Sequence, residues 1–211
     1  MTERIYFDWN ATARLRPEAR QAVLDAMAVA GNPSSVHAEG RAARRLIEGA
    51  REQVAALVSA RPADVFFTSG GTEANALALS SAIETAGEKR PREALFISAI
   101  EHPSVRAGGR FPRERITEIP VDAGGRLDLS ALADAIAKAP RPLVSLMLAN
   151  NETGVVQPVA QAAAIVHAAG GLLHVDAVQG AGRIPCEIGV LGPTCSPSRR
   201  TRSGAPRASA P

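Results

Sequence analysis

Polar residues that could do chemistry fall into four short segments, each of which follows an apolar, strand-like run. These segments are residues 69–72, 101–102, 150–152 and 176–179. Where strands alternate with helices in one sheet, ligands bind at the carboxyl ends of the strands. We therefore expect the four segments to meet at one edge of a sheet and to surround a small molecule.

The segment 68–73 has the composition of an anion-binding turn that opens a helix. Gly70 and Gly71 allow backbone N–H groups to approach a phosphate, and Thr72 adds a hydroxyl donor. The positive end of the following helix would add attraction. The pattern is neither a Walker motif nor a dinucleotide-binding fingerprint, so a tight turn without a ligand is the alternative.

The segment 174–179 ends another strand and suits an aromatic nitrogen heterocycle. Asp176 could pair with a protonated ring nitrogen, and Gln179 could donate to an oxygen on the same ring. His102 could stack flat on that ring. The alternatives are an ordinary helix N-cap at Asp176 and a structural loop role for His102.

The segment 150–154 is polar and suited to backbone hydrogen bonding, and an Asx-turn is its alternative interpretation. Together the segments describe a ligand with a phosphate, a ring nitrogen that needs an acid and a ring oxygen that needs a donor. Pyridoxal 5'-phosphate (PLP) has all three features. The residue types therefore favour PLP as the cofactor.

The elements that would position these residues alternate along the chain. A short strand or turn occupies residues 6–12. Strand-like runs follow at 65–68, 95–98, 116–121, 143–148 and 172–176, and helical patterns at 17–29, 35–60, 73–86, 129–139 and 159–169. Such alternation is typical of βαβ units, so we expect an α/β fold with a mostly parallel sheet.

Composition restricts the class of protein. The chain has 211 residues, of which 45% are hydrophobic and 3% aromatic, so one α/β domain would have a core of Ala, Val, Leu and Ile. Two cysteines exclude a disulfide-rich scaffold and a multi-cysteine zinc site. The sequence has no signal-peptide pattern and no apolar run of about 18 residues, so we expect a cytoplasmic protein without a membrane span.

The net positive charge comes from the C-terminal end. The formal net charge is +3, but residues 192–211 hold four arginines and no acid, which leaves residues 1–191 at −1. Beyond Gly192 there is no Val, Ile, Leu, Phe or Met, so we expect a disordered basic tail. Four arginines without an aromatic residue would bind nucleic acid weakly, and nucleic acid is not an expected partner.

Six segments, in this order along the chain, resemble the motifs of the cysteine desulfurases, which are class V aminotransferases of PLP fold type I. They are residues 6–12, 31–37, 68–75, 101–102, 150–158 and 174–179. The resemblance extends from residue 4 to about 191, with Ala13 standing where the family usually has a second Thr. It implies that residues 1–191 are the N-terminal part of a three-layer α/β/α large domain, which is incomplete here, and that 192–211 are a tail.

The resemblance implies a role for each candidate residue. Gly71 and Thr72 would hold the PLP phosphate, and His102 would stack on the pyridine ring with a possible acid–base function. Asp176 would keep the ring nitrogen protonated, and Gln179 would hydrogen-bond the phenolic oxygen.

The resemblance also implies a reaction and its partners. Asn151 would lie against the cofactor and help to place the substrate carboxylate. The family converts L-cysteine to L-alanine and leaves the sulfur as a persulfide on a protein cysteine, for iron–sulfur cluster or thionucleotide assembly. A sulfur acceptor or iron–sulfur scaffold protein and a second subunit in a homodimer are therefore the implied partners.

Two family residues are missing. The family forms a Schiff base through a lysine in a His-Lys pair shortly after the strand-end aspartate, and the corresponding residues 193–202 contain neither. We interpret Lys89 and Lys138 as surface residues. We interpret Cys186 as a small core residue and Cys195 as part of the tail, so the nucleophilic cysteine is also absent. This chain is therefore expected to be inactive alone.

A frameshift near Gly192 would explain the missing lysine. For one choice of codons, residues 192–211 read two nucleotides later give a family-like segment that includes His-Lys.

Two alternative functions stay open. One is a selenocysteine lyase or another class V enzyme, and the other is a non-catalytic remnant or binding module.

Overall fold

The strands form one parallel sheet. The computed structural model describes residues 5–83 and 91–192. Its strands are β1 (Leu95–Ser98), β2 (Ile116–Ile119), β3 (Leu143–Met147) and β4 (Leu172–Asp176), in the spatial order β2-β1-β3-β4. All three neighbouring pairs are parallel, so the expected parallel sheet is confirmed and the four carboxyl ends lie at one edge.

Helices connect and flank the strands. They are α1 (Pro17–Met27), α2 (Ala38–Leu57), α3 (Gly71–Ala78), α4 (Pro103–Arg106), α5 (Leu129–Ile136), α6 (Val159–Ala168) and α7 (Ile188–Leu191), with short 3₁₀ turns at Pro62–Asp64 and Arg113–Arg115. Asp128 begins α5 because its carboxylate accepts the N–H groups of Ser130 and Ala131, and the bonds to these residues hold its pKa below the usual value. None of the described helices has the length and apolarity that a membrane span requires.

The sheet separates two apolar cores because successive strand residues point to opposite faces. One core packs beneath α5 and α6, and its buried strand residues are Phe96, Ile119, Val144, Leu146 and Leu173. The other includes Leu95, Ile97, Leu143 and Leu172 and packs against Leu79, Val105 and Phe111. Apolar layers on both faces confirm the three-layer α/β/α architecture.

Two of the sequence predictions need correction. Residues 65–68 do not form a strand, since none of the four described strands lies beside them, and Phe66 is 83% exposed. A single extended segment has no hydrogen-bonding neighbour to hold it as a strand. The helix predicted over 73–86 ends at Ala78, where Leu79 turns into the core at 0% exposure.

Other predictions fall partly or wholly outside the described residues. The disordered tail and the frameshifted segment, both predicted for 192–211, lie outside the described residues except for Gly192, and Cys195 and Lys89 lie outside them as well. The boundary between a domain of 1–191 and a tail of 192–211 also stays a prediction. Residues 9–11 form a turn, in keeping with the strand-or-turn prediction for 6–12.

Candidate functional site

A cavity of about 460 Å³ lies at the carboxyl ends of the strands. This volume falls within the range of small-molecule sites in proteins. The structure places all six candidate residues in its lining: Gly71, Thr72, His102, Asn151, Asp176 and Gln179. The expectation that the strand-end segments would meet around one space is therefore met.

The N-terminus of α3 forms one end of the cavity. Gly71 and Thr72 belong to the first turn of this helix, whose N–H groups have no intrahelical acceptors. The Glu73 carboxylate folds back to accept the N–H and hydroxyl of Ser69, both at 2.7 Å, and these bonds lower its pKa. A Cβ on Gly71 would lie 3.3 Å from Val178 Cγ2, so glycine keeps this approach open.

Asp176 is the last residue of β4, and two donors hold its carboxylate. Oδ2 accepts from Asn75 Nδ2 at 2.8 Å, and Oδ1 accepts from the Val178 N–H at 3.0 Å. Asn75 lies four residues after Gly71 on α3, so both residues share one helix face. The Asn75 side chain therefore connects α3, the helix expected to bind the phosphate, with Asp176, the acid expected to meet the ring nitrogen. The alternative interpretation of Asp176 as a helix N-cap is wrong, because the residues that follow it form turns and the next described helix begins at Ile188, so the bond to Val178 is a local Asx-type contact.

Ser104 extends this network to His102. Asn75 Nδ2 also donates to Ser104 Oγ at 2.9 Å, and Ser104 Oγ lies 2.7 Å from His102 Nδ1. The Ser104 N–H donates to the same ring nitrogen at 3.2 Å, which makes His102 the N-cap of α4. Because Nδ1 accepts, a neutral His102 carries its proton on Nε2. His102 thus has the structural role of its alternative interpretation and also lines the cavity.

The N-terminal segment 8–11 closes one side of the cavity and is tied down by Arg183. The guanidinium donates to Asn10 Oδ1 at 2.6 Å, to the Trp9 carbonyl at 3.2 Å and to Gln179 Oε1 at 2.7 Å. Gln179 Nε2 donates to the Asn10 carbonyl at 3.1 Å. Since arginine only donates, the Gln179 amide oxygen must face Arg183, and its NH₂ group is left to donate elsewhere.

Asn150 and Asn151 have different contacts. Asn150 Oδ1 accepts the N–H groups of Glu152 and Thr153, both at 2.9 Å, so the Asx-turn predicted as the alternative is present. Asn151 Nδ2 donates to Glu152 Oε1 at 2.6 Å, and the Asn151 carbonyl accepts from Asn10 at 2.9 Å. The turn therefore presents Asn151 to the cavity and anchors the N-terminal segment.

Three side chains that organise the site had no role assigned from the sequence. Asn75 could have been found from its four-residue spacing after Gly71, which puts both on one helix face. Asn10 and Arg183 are 173 positions apart in the sequence, and no local pattern indicates that they are in contact. Their role becomes visible only in three dimensions.

The described lysine and cysteine lie in the surroundings predicted from the sequence. Lys138 is exposed shortly after α5, away from the cavity lining. Cys186 is 5% exposed within the core under α6. Within residues 5–83 and 91–192, no cluster of His, Cys, Asp and Glu could hold a metal ion.

Comparison with known proteins identifies the family. The model of the family described as aminotransferase class-V matches residues 5–193. The chain belongs to the class V aminotransferases. PLP is the cofactor of this family, and the cavity residues have the chemistry to meet it: helix N–H groups, an acid and an amide donor.

Relatives within the class V aminotransferases are similar over about half of their length. A cysteine desulfurase from Cereibacter sphaeroides is 46% identical over 190 residues, which are 87% of this chain and 48% of that protein. A selenocysteine lyase from Bos taurus is 36% identical over 221 residues, covering 90% of this chain and 51% of that protein. The crystal structure of a NifS-like protein from Rickettsia africae has a TM-score of 0.79 and 37% identity, over 89% of this chain and 51% of that one. The predicted PLP fold type I is confirmed.

Proposed function

We propose that this chain forms the cofactor-binding half of a PLP-dependent cysteine desulfurase. The observation that carries this proposal is the joint presence of all six candidate residues in one cavity at the carboxyl ends of the strands. The similarity to a cysteine desulfurase over most of the chain supports the same reaction class.

Each candidate residue would have a defined task toward PLP. Gly71 and Thr72 would bind the phosphate through N–H groups and a hydroxyl at the start of α3. Asp176, with both oxygens already oriented, would hold the proton on the ring nitrogen. His102 would cover the ring face, and Gln179 would donate its free amide hydrogen to the ring oxygen. When bound, PLP supplies an electron-withdrawing ring that stabilises negative charge on the Cα of an amino acid.

The complete reaction needs residues that this 211-residue chain does not provide. In the proposed reaction the C–S bond of L-cysteine breaks, the sulfur passes to a protein cysteine as a persulfide, and Cβ gains a proton to give L-alanine. In the proposed enzyme the Schiff-base lysine and the nucleophilic cysteine would come from the half of the family's length that this chain does not cover. We extend the proposal to a homodimer that passes its sulfur to an acceptor or iron–sulfur scaffold protein.

A selenocysteine lyase is the second candidate, because the relative from Bos taurus covers a similar share of the chain. The two candidates differ in the chalcogen that they remove. Rates of alanine formation from L-cysteine and from L-selenocysteine, measured on the protein with a complete second half, would distinguish them. We expect both substrates to react if the protein is a desulfurase, and selenocysteine alone if it is a lyase.

The frameshift hypothesis and the activity can be tested together. We expect resequencing across the codon of Gly192 to reveal a second frame that encodes His-Lys, and the restored protein to release sulfide from L-cysteine under reducing conditions. The 211-residue chain should release none. Sulfide release by that chain would contradict the inference that it lacks the Schiff-base lysine. An intact reading frame without His-Lys codons in another frame would refute the frameshift.

A further inference from the structure

Glu101 is the only acidic side chain that is buried in the described part of the chain, with 4% exposure. Its Oε1 accepts the Met147 N–H at 2.6 Å. That N–H points away from β4, because the next one, from Leu148, donates to the Asp176 carbonyl and successive N–H groups alternate. The carboxyl of Glu101 therefore continues the β1–β3 ladder beyond its last backbone pair, Ile97 with Ser145.

The carboxyl groups of Asp176 and Glu101, both near the carboxyl ends of the strands, differ in the hydrogen bonds that they accept. Both oxygens of Asp176 accept hydrogen bonds, and its side chain is only half-buried. Oε2 of Glu101 is buried without a hydrogen-bond partner. An ionised carboxylate needs donors on both oxygens, and a buried charge that lacks them is costly. The negative charge is therefore more stable on Asp176 than on Glu101.

Among the described ion pairs, none joins Glu101 to a cation on the neighbouring elements. The titratable or charged groups on them are Asp176 and His174 in β4, His102 and Arg106 at α4, Glu118 in β2 and Glu73 in α3. Arg106 pairs with Glu118 at the surface, and burial lowers the pKa of His174, which contacts Ser145. Burial raises the pKa of Glu101 to about 8, the Met147 N–H opposes this shift, and the charge of Asp176 adds to it.

We propose that Glu101 is a positioning residue that acts as a neutral carboxylic acid, bracing the end of β3 and leaving Asp176 as the charged carboxylate of the cavity. Two acids in different surroundings thereby divide their functions, one holding a proton and the other a charge. This inference deepens the proposed function, since a single charge at Asp176 suits one protonated ring nitrogen.

The first test measures the protonation of Glu101 without cofactor. Infrared difference spectra of the full 211-residue chain and its Glu101→Gln variant should show, at pH 7, a protonated-carboxyl C=O band in the wild type alone. The band should disappear as the pH rises through about 8. Glu114→Gln, at an exposed acid, is the matched control and should keep the band. Absence of a Glu101-dependent band at pH 7 would overturn the proposal.

The second test separates positioning from general structural support. We expect Glu101→Gln, which keeps a neutral acceptor for Met147, to bind PLP within about threefold of wild type at pH 7. Glu101→Ala should bind at least about tenfold more weakly. Equal losses in both variants would show that a neutral acceptor cannot replace Glu101 and would refute the inference. If the infrared band is present but no variant binds PLP, the proposed function fails while Glu101 remains a neutral acid.

Discussion

Asn75 is the residue on which two of the proposed PLP contacts depend. Its amide nitrogen donates to both Asp176 and Ser104, and Ser104 in turn contacts His102. Asn75 lines the cavity but is only 4% exposed, so little water reaches these bonds. The orientations of the acid and of the stacking imidazole are therefore set by one buried amide.

Replacing Asn75 with Ala should weaken PLP binding by about tenfold or more, because a hydrogen bond to a charged group contributes about 1.5–3 kcal/mol. Fluorescence titration of PLP into wild type and variant measures this change. Gln21→Ala removes an exposed amide that bonds Asp25 on α1, and it should leave the affinity unchanged. Wild-type affinity in the Asn75 variant would show that the network does not position the cavity residues.

Glu101 should make stability fall as the pH rises. Its pKa is raised to about 8 in the folded chain, while the unfolded chain has the ordinary value of 4.5, so between these values the folded state binds more protons. The free energy of unfolding of wild type, relative to Glu101→Gln, should thus decrease over this interval, by at most about 5 kcal/mol. Urea denaturation at pH 5, 7 and 9 measures it. Parallel pH profiles would contradict the buried neutral acid.

At the scale of the elements, the irregular N-terminal segment is held by contacts that are distant in the sequence. Residues 8–11 form neither a helix nor a strand, yet they close one side of the cavity. Arg183 holds them by bonds to Asn10 and Trp9 and holds Gln179 at the same time. The orientation of the Gln179 amide is therefore linked to the position of this segment.

Arg183→Ala should release the N-terminal segment. Hydrogen–deuterium exchange at residues 8–11 should become faster, because the segment loses the bonds that tie it to the turn after β4. PLP affinity should fall by several-fold as the Gln179 amide loses its fixed orientation, about the effect of one exposed hydrogen bond. Arg45→Ala, on the exposed side of α2, is the control. Unchanged exchange at 8–11 would mean that other contacts hold the segment.

The sequence predicted most of the sheet but not all of its limits. The predicted bounds of β1 and β4 are the observed ones, because short apolar runs in a parallel sheet are buried on both faces. Residues 65–68 have similar β propensity but no neighbouring strand, so propensity alone did not decide their structure. The end of α3 was missed because the Leu79 carbonyl accepts the Arg110 N–H, a contact that no local pattern signals.

In the candidate site, too, local sequence signals could be predicted and contacts between distant residues could not. Gly71, Thr72, Asp176 and Gln179 could be selected because their types and their places after strands are local properties. The partners that orient them could not, since Asn75 is 101 positions from Asp176. The burial of Glu101 likewise depends on how β1 and β3 pack, which composition does not specify.

The whole chain carries large apolar side chains on its surface. Val36 is 87% exposed, Phe66 83% and Met27 79%, and further exposed apolar residues lie along α1 and α2. The chain spans about half the length of the relatives that it matches. Apolar surface of this extent favours association or aggregation.

We expect the 211-residue chain to self-associate as its concentration rises. Sedimentation velocity should show a growing fraction of large species, because association buries the exposed apolar groups. Replacing Phe66 and Met27 with Ser should reduce this fraction without lowering the melting temperature, since both side chains are mostly exposed. A monomer that persists across the concentration series would contradict this expectation.

The most direct test of the central claim is a titration of PLP into the folded 211-residue chain. We predict saturable 1:1 binding. Borohydride, which would reduce a Schiff base to a stable bond, should not attach PLP covalently to Lys138, because this exposed residue is remote from the cavity. Asp176→Ala should abolish this binding, and Lys138→Ala should leave it intact. Binding that survives Asp176→Ala, or that depends on Lys138, would contradict the assignment of the cavity as the PLP site.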